Sequence, residues 1–338
     1  MERRQFLSIA AVTPIAAALP TTSPGLGALD EIRGRMSTDL RHALPTHEVD
    51  RWQSIAADHV ADYGTIAPAA LLHRMAPDLA DLADLARSYP RERDLNLTAA
   101  RLCGLVGALH TDLGNDRPAR EWLHTAAGYA RHSGDLTQRY WIAMAQAMGA
   151  LYAKHPSPAR VIKIAHDARR ELGDATAAPA AQLAGLAARA HAALPNHEQQ
   201  ARGALDQAQR LFDRLTPAHT DERFWGFPPA EMLMYRSQVL TRINAPEAWD
   251  AQDSALAAYP SNDPMDRPLI LLDRARMLAA RREADAAVHT ATNALETLTP
   301  DLRVPLLIDQ AQTLAHELRP VSPNIAAQYR EHIAALAA

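Results

Sequence analysis

Gly114-Asn115-Asp116-Arg117-Pro118-Ala119-Arg120-Glu121-Trp122-Leu123-His124-Thr125-Ala126 is the stretch that decides the fold of this 338-residue chain. The glycine closes one helix, and the proline, whose fixed φ suits a first turn, opens the next. Ala119 and Ala126 then stand seven residues apart on one helix face. Outward from this stretch the pattern recurs. Pro158-Ala159 opens another helix after His155-Pro156. Ala119, Ala159, Ala201, Ala248, Ala287 and Ala327 follow one another at separations of 40, 42, 47, 39 and 40 residues. Seven residues beyond these starts come Ala126, Ala208, Ala255, Ala294 and Ala334, with His166 the exception. Twelve residues before four of them stand Gly107, Ala147, Ala275 and Ala315. Small residues at such offsets let two antiparallel helices approach closely. Repetition at this period means stacked helix pairs. The expected fold is an all-α, right-handed helical-repeat solenoid of antiparallel pairs.

Composition agrees. Hydrophobic residues make up 48% of the chain and aromatic residues only 5%, so the apolar mass is mostly alanine and leucine, both good helix formers. Runs of β-branched residues alternating with polar ones, the mark of strands, are missing. The net charge is −4 and the pI about 6.4. A chain that lives on phosphate contacts is normally basic, so direct nucleic-acid binding is not expected. Cys103, the single cysteine, excludes an intrachain disulfide. Its neighbours Leu102, Leu105 and Val106 mark it as a buried structural thiol.

Three regions follow. Residues 1–45 are rich in Pro, Thr, Gly and Ala and read as a linker or a targeting segment. Arg3-Arg4-Gln5-Phe6-Leu7 before an apolar run resembles a twin-arginine export signal. Pro14 interrupts that run, and Leu26-Gly27-Ala28 puts a bulky residue where a cleavage site wants a small one. The run is also too short to span a membrane. The first reading is therefore a cytoplasmic linker, with export as the alternative. Residues 46–92 form an N-terminal helical pair, with Trp52, Ile55, Ala56, Val60 and Tyr63 along one face. Residues 93–338 form the repeat array. Its longest interval holds Phe224-Trp225-Gly226-Phe227-Pro228-Pro229, an aromatic cluster in an aromatic-poor chain, read either as packing over the core or as a lid.

The small residue of the first helix, the alanine twelve positions on and the alanine seven beyond resemble tetratricopeptide repeats of lengthened period. More specifically, the chain resembles the sensor region of Xre-type helix-turn-helix regulators of actinobacteria. Four stretches carry the likeness: Arg3 to Leu7 with its Ala-rich continuation, Trp52 to Leu72, Gly128-Tyr129-Ala130 with Gly134-Asp135 and Trp141, and Ala284 to Leu295 with Arg303 and Leu318-Arg319-Pro320. Those regulators carry a DNA-binding domain ahead of the linker, and this chain starts at the linker. The resemblance implies the sensing half: a helical array that binds a peptide, small molecule or protein and relays it to a partner.

Catalytic signatures are missing: no Gly-rich phosphate loop, no Gly-x-Ser-x-Gly elbow, no His-Glu-x-x-His. Neither an enzyme, a cofactor nor a metal is expected. Asp78, Asp81 and Asp84 share a helix face and read as solvated charge. The expected role is ligand or partner binding in regulation, with an exported binding protein or an assembly scaffold as alternatives and dimerisation through a terminal pair open. In tetratricopeptide-like arrays the first helix of each pair lines the concave groove. The alanine register puts Arg101, Trp141, Met144, Met148, Tyr152, Arg276, Asp309, Gln312 and His316 on that side, with Trp225 above it. Met144 and Met148 suit an adaptable apolar pocket. Arg101 and Arg276 suit a carboxylate or phosphate.

Overall fold

The structure is a computed structural model, and it describes residues 44–173, 175–220 and 224–337. The chain divides at Leu44/Pro45 into two units. The linker or export reading of residues 1–45 falls almost wholly outside the described residues.

From Pro45 onward every regular element among the described residues is helical. In chain order the α-helices are α1 (Thr46–Asp62), α2 (Pro68–Ser88), α3 (Arg93–Asp112), α4 (Asp116–Ser133), α5 (Leu136–Leu151), α6 (Pro158–Leu172), α7 (Ala178–Ala192) and α8 (Glu198–Phe212). There follow the single turn α9 (Pro217–Thr220), then α10 (Pro229–Arg242), α11 (Ala248–Ala258), α12 (Asp266–Ala280), α13 (Ala284–Glu296), α14 (Pro305–Leu318) and α15 (Pro323–Leu336). Local chemistry sets the boundaries. Gly114 and Gly134, at φ +67° and +75°, turn the chain out of α3 and α4. Asp135 Oδ1 accepts the Gln138 N–H at 2.6 Å and caps α5. Asp263 Oδ1 takes three backbone N–H groups at the start of α12. Proline opens α2, α6, α10, α14 and α15.

Sequential helices pack in pairs, and the first helix of each pair also packs on the first helix of the next. The inner row is α1, α3, α5, α7, α10, α12 and α14; the other long helices back it. The seam inside each pair is largely the alanine one. Ala119 and Ala126, Ala201 and Ala208, Ala248 and Ala255, and Ala287 and Ala294 are buried. Two pairs depart from the expected register. Ala159 is exposed, and Val161 and Ala168 hold the seam of α6. In α15 the buried residues are Ala326, Tyr329 and Ile333, and Ala326 and Ile333 stand one position before Ala327 and Ala334. In α1 the buried face is Val49, Trp52, Ala56 and His59. His59 Nε2 lies 2.7 Å from Asp78 Oδ2, while Asp84 pairs with Arg87. The aspartates of α2 thus serve separate contacts.

Close approach within the row depends on glycine. A Cβ on Gly185 of α7 would stand 2.4 Å from Cδ2 of the buried Tyr235 ring on α10. Gly185→Ala gains about 1 kcal/mol of helix propensity and meets a clash of about 1–3 kcal/mol or more. Its melting temperature is expected to fall. Gly128→Ala, with nothing within 4 Å of the new atom, is expected to raise it by the propensity term alone. Thermal unfolding of the two variants checks the contrast.

Candidate functional site

The inner helices converge on a cavity of about 150 Å³ to which α5, α7, α10, α12 and α14 all contribute side chains. The last inner helix also reaches back to an early one. Helix α14 touches α3, and a Cβ on Gly114 would lie 3.6 Å from Pro305 Cβ. Polar side chains at these positions are therefore drawn away from bulk water, and their hydrogen bonding matters more than on the outer helices.

One part of this inner surface is acidic and aromatic. Asp112, the last residue of α3, is 7% exposed and accepts the Tyr63 hydroxyl at 2.9 Å. Burial pushes its carboxyl up to about 7, the Tyr63 hydrogen bond opposes this, and the negative charge of Asp266 adds to it. Glu231, in the first turn of α10, takes Gln182 Nε2 on both oxygens at 3.1 Å. Burial, and then Asp266, push it up to about 7 as well. Asp266 of α12 in turn accepts the Tyr259 hydroxyl, whose own pKa burial raises far above the usual phenol range. Three inner helices thus bring the carboxyls of Asp112 and Glu231 within the field of Asp266. No group of three or more His, Cys, Asp or Glu among the described residues is placed to hold a metal ion.

The aromatic segment ahead of α10 reaches across this surface. Phe227 is 0% exposed, with its ring centroid 5.3 Å from Phe212 and 5.5 Å from Tyr235. Its N–H binds the His219 carbonyl at 2.8 Å. Phe224 and Trp225 are half-buried and extend over α3 and α5. Phe224 meets Tyr63 edge-on at 4.9 Å, and Trp225 lies 4.7 Å from Trp141. Trp141 Nε1 donates to the Phe224 carbonyl at 3.2 Å, and the Arg101 guanidinium covers Trp225 at 5.3 Å. Phe227 is therefore core, while Phe224 and Trp225 cover the inner surface.

Of the residues expected at the groove, Arg101, Trp141 and Trp225 come together in that cluster. Met144 is core, and Met148 packs beside it, half-buried. Tyr152 lines the cavity and accepts a hydrogen bond from Arg189. Arg276 also lines the cavity, but it forms a two-pronged ion pair with Glu317 and lies apart from the Arg101 cluster. The α14 residues expected at the groove lie away from this cavity. Gln312 and His316 line a separate surface groove between α14 and α15. Asp309 is exposed, within the field of Lys154 and Asp116. Gln310 and Thr313 are the α14 residues that line the cavity, and Glu317 reaches Arg276. A one-residue slip turns a helix by about 100° and exchanges one set for the other. Sequence reading also missed Gln182, Arg189, Glu231, Tyr235, Gln238 and Arg242. The spacing of 4, 3 and 4 from Glu231 to Arg242 was the available signal, since it puts four polar residues on one face of α10.

Comparison of the chain with protein-family models, with curated proteins and with solved structures finds no match. No helix among the described residues is long and apolar enough to cross a membrane.

Proposed function

We propose that this chain is a non-catalytic regulatory binding protein that takes its ligand on the inner row of helices and acts through a partner. One observation carries the reading. Arg189 Nη1, Gln182 Oε1 and Gln238 Oε1, on the neighbouring inner helices α7 and α10, are enclosed without a hydrogen-bond partner among the described residues. Native proteins rarely leave such groups unsatisfied, and a bound molecule is one way to satisfy them. The resemblance to the sensor region of Xre-type regulators supports the same role, with a transcription- or signalling-related partner and a cytoplasmic setting.

The test is purification from the native host, release of bound molecules by denaturation, and mass spectrometry of what is released. The released molecule, added back at about 100 times its dissociation constant, is expected to stabilise the protein by about 2.7 kcal/mol, a melting rise of several degrees. Failure of every host fraction to shift the melting would overturn the proposal. A second reading, an acid–base enzyme, draws on the carboxyls of Asp112 and Glu231, which are shifted to about 7. It requires turnover of the added-back molecule, and recovery of that molecule unchanged decides for binding.

A further inference from the structure

The cavity of about 150 Å³ has basic polar walls. Arg189 of α7, Arg242 at the end of α10 and Arg276 of α12 line it, and the carboxylates within their field are Asp273, Glu317 and, for Arg189, Glu231. These charges are unevenly shared. Arg276 is satisfied: Nε reaches Glu317 Oε2 at 2.8 Å, Nη2 takes the other oxygen, and Asp273 stands 3.8 Å from Nη1. Arg189 is not. It donates to the Tyr152 hydroxyl and lies over the Tyr152 and Tyr235 rings at 5.0 and 5.4 Å, yet its Nη1 is enclosed with no acceptor. Arg242, exposed at the mouth, has no hydrogen-bond or ion-pair partner among the described residues. Desolvation by the surrounding helices, and then the like charge of Arg276, push its pKa down. Gln238, one turn before Arg242 and 8% exposed, adds an amide whose Oε1 is also unpartnered.

Carboxylates match the three guanidinium groups in number, yet none is hydrogen-bonded to Arg189 or Arg242 among the described residues. An enclosed guanidinium N–H without an acceptor is costly, and Arg pairs best with the two oxygens of a carboxylate or phosphate. Leu151, Pro156, Leu269 and Leu272 supply apolar wall around the basic groups. We infer that Arg189 and Arg242 form an oxyanion subsite for the carboxylate or phosphoryl end of an amphipathic ligand, with Gln238 Oε1 beside it to accept from a donor on that ligand. The inference rests on the inner-row binding reading and names the ligand's chemistry. Arg189 and Arg242 anchor the anionic end, Arg276 stays engaged with Glu317, and the apolar wall receives the adjoining carbons.

The experiment is calorimetric titration of the full chain with inorganic phosphate and, separately, with propionate and hexanoate, at ionic strength held constant with sodium chloride. Saturable binding of at least one probe is expected. Tighter binding of hexanoate than propionate would mark the ligand as a carboxylate on an apolar chain, and binding of phosphate alone would mark it as phosphoryl. Arg242→Gln removes a charge that makes no hydrogen bond or ion pair among the described residues and lies in the field of the like-charged Arg276, so it is expected to leave melting unchanged or slightly raised while weakening the probe at least tenfold. Arg189→Gln is expected to weaken it similarly, with some loss of packing against the tyrosines. No saturable binding of any probe, or equal affinity in Arg242→Gln, overturns the inference. A host-derived molecule that binds wild type and Arg242→Gln equally overturns the oxyanion subsite and leaves the binding reading standing. Failure of every host fraction to bind wild type removes the binding reading itself.

Discussion

Phe227→Ala is expected to lower unfolding stability by about 3–5 kcal/mol, the range for truncating a buried phenylalanine to alanine. Phe227 is 0% exposed and makes ring contacts with Phe212 on α8 and Tyr235 on α10. It therefore stitches two neighbouring pairs across the longest connection in the array. The deletion leaves a cavity against the Tyr235 ring, which is itself pressed on Gly185 too closely for a methyl group to intervene. Trp225→Ala is the informative contrast. Its ring is half-buried, and what it loses is the tilted ring contact with Trp141 and the covering contact with Arg101, interactions worth about 0.5–1.5 kcal/mol each. The hydrogen bond from Trp141 runs to the Phe224 backbone and survives either change. Urea unfolding followed by fluorescence should thus separate the two by about 2 kcal/mol or more. A loss below about 1 kcal/mol for Phe227→Ala would mean that this segment is not core and that the whole of it can lift from the inner helices.

The contrast also marks how far the sequence could be read. Rarity made the aromatic segment conspicuous, and its cluster with Trp141 and Arg101 joins residues picked out from the sequence alone. The array was legible through its alanines because close helix packing admits little else at Ala126, Ala208 and Ala255, each fully buried. The reading failed where a larger residue fills a seam position. Val161 does so in α6, and the odd His166 in the alanine series was the visible trace of that two-residue offset. The cavity was harder to see. Charges on an amphipathic helix ordinarily mark its solvated face. Arg189 and Arg276 instead face other inner helices, and only the row-to-row packing shows that their surroundings are partly dry.

Asp112→Asn is expected to stabilise the protein at pH 8 by about 1–3 kcal/mol. In an unfolded chain this carboxyl ionises near its ordinary value of 3.8, and in the fold burial holds its proton up to about 7. Between those values the folded state binds more protons than the unfolded state, so stability falls as pH rises through that window, and above about 7 the whole cost of the buried charge is present. The interval corresponds to at most about 4 kcal/mol, and local relaxation around the charge takes part of it away. Asparagine keeps an oxygen to accept the Tyr63 hydroxyl and removes the charge. The measurement is denaturant unfolding at pH 5.5 and pH 8. Wild type should lose stability between the two, and the variant should lose less. A variant no more stable than wild type at pH 8 would show that water reaches Asp112 and that the inner surface is wetter than its packing implies. Glu231→Gln should act in the same direction, since burial also raises that group to about 7 and its amide can keep a contact with Gln182. The two changes should combine non-additively, because Asp266 raises both carboxyls and each charge removed eases the field on the others.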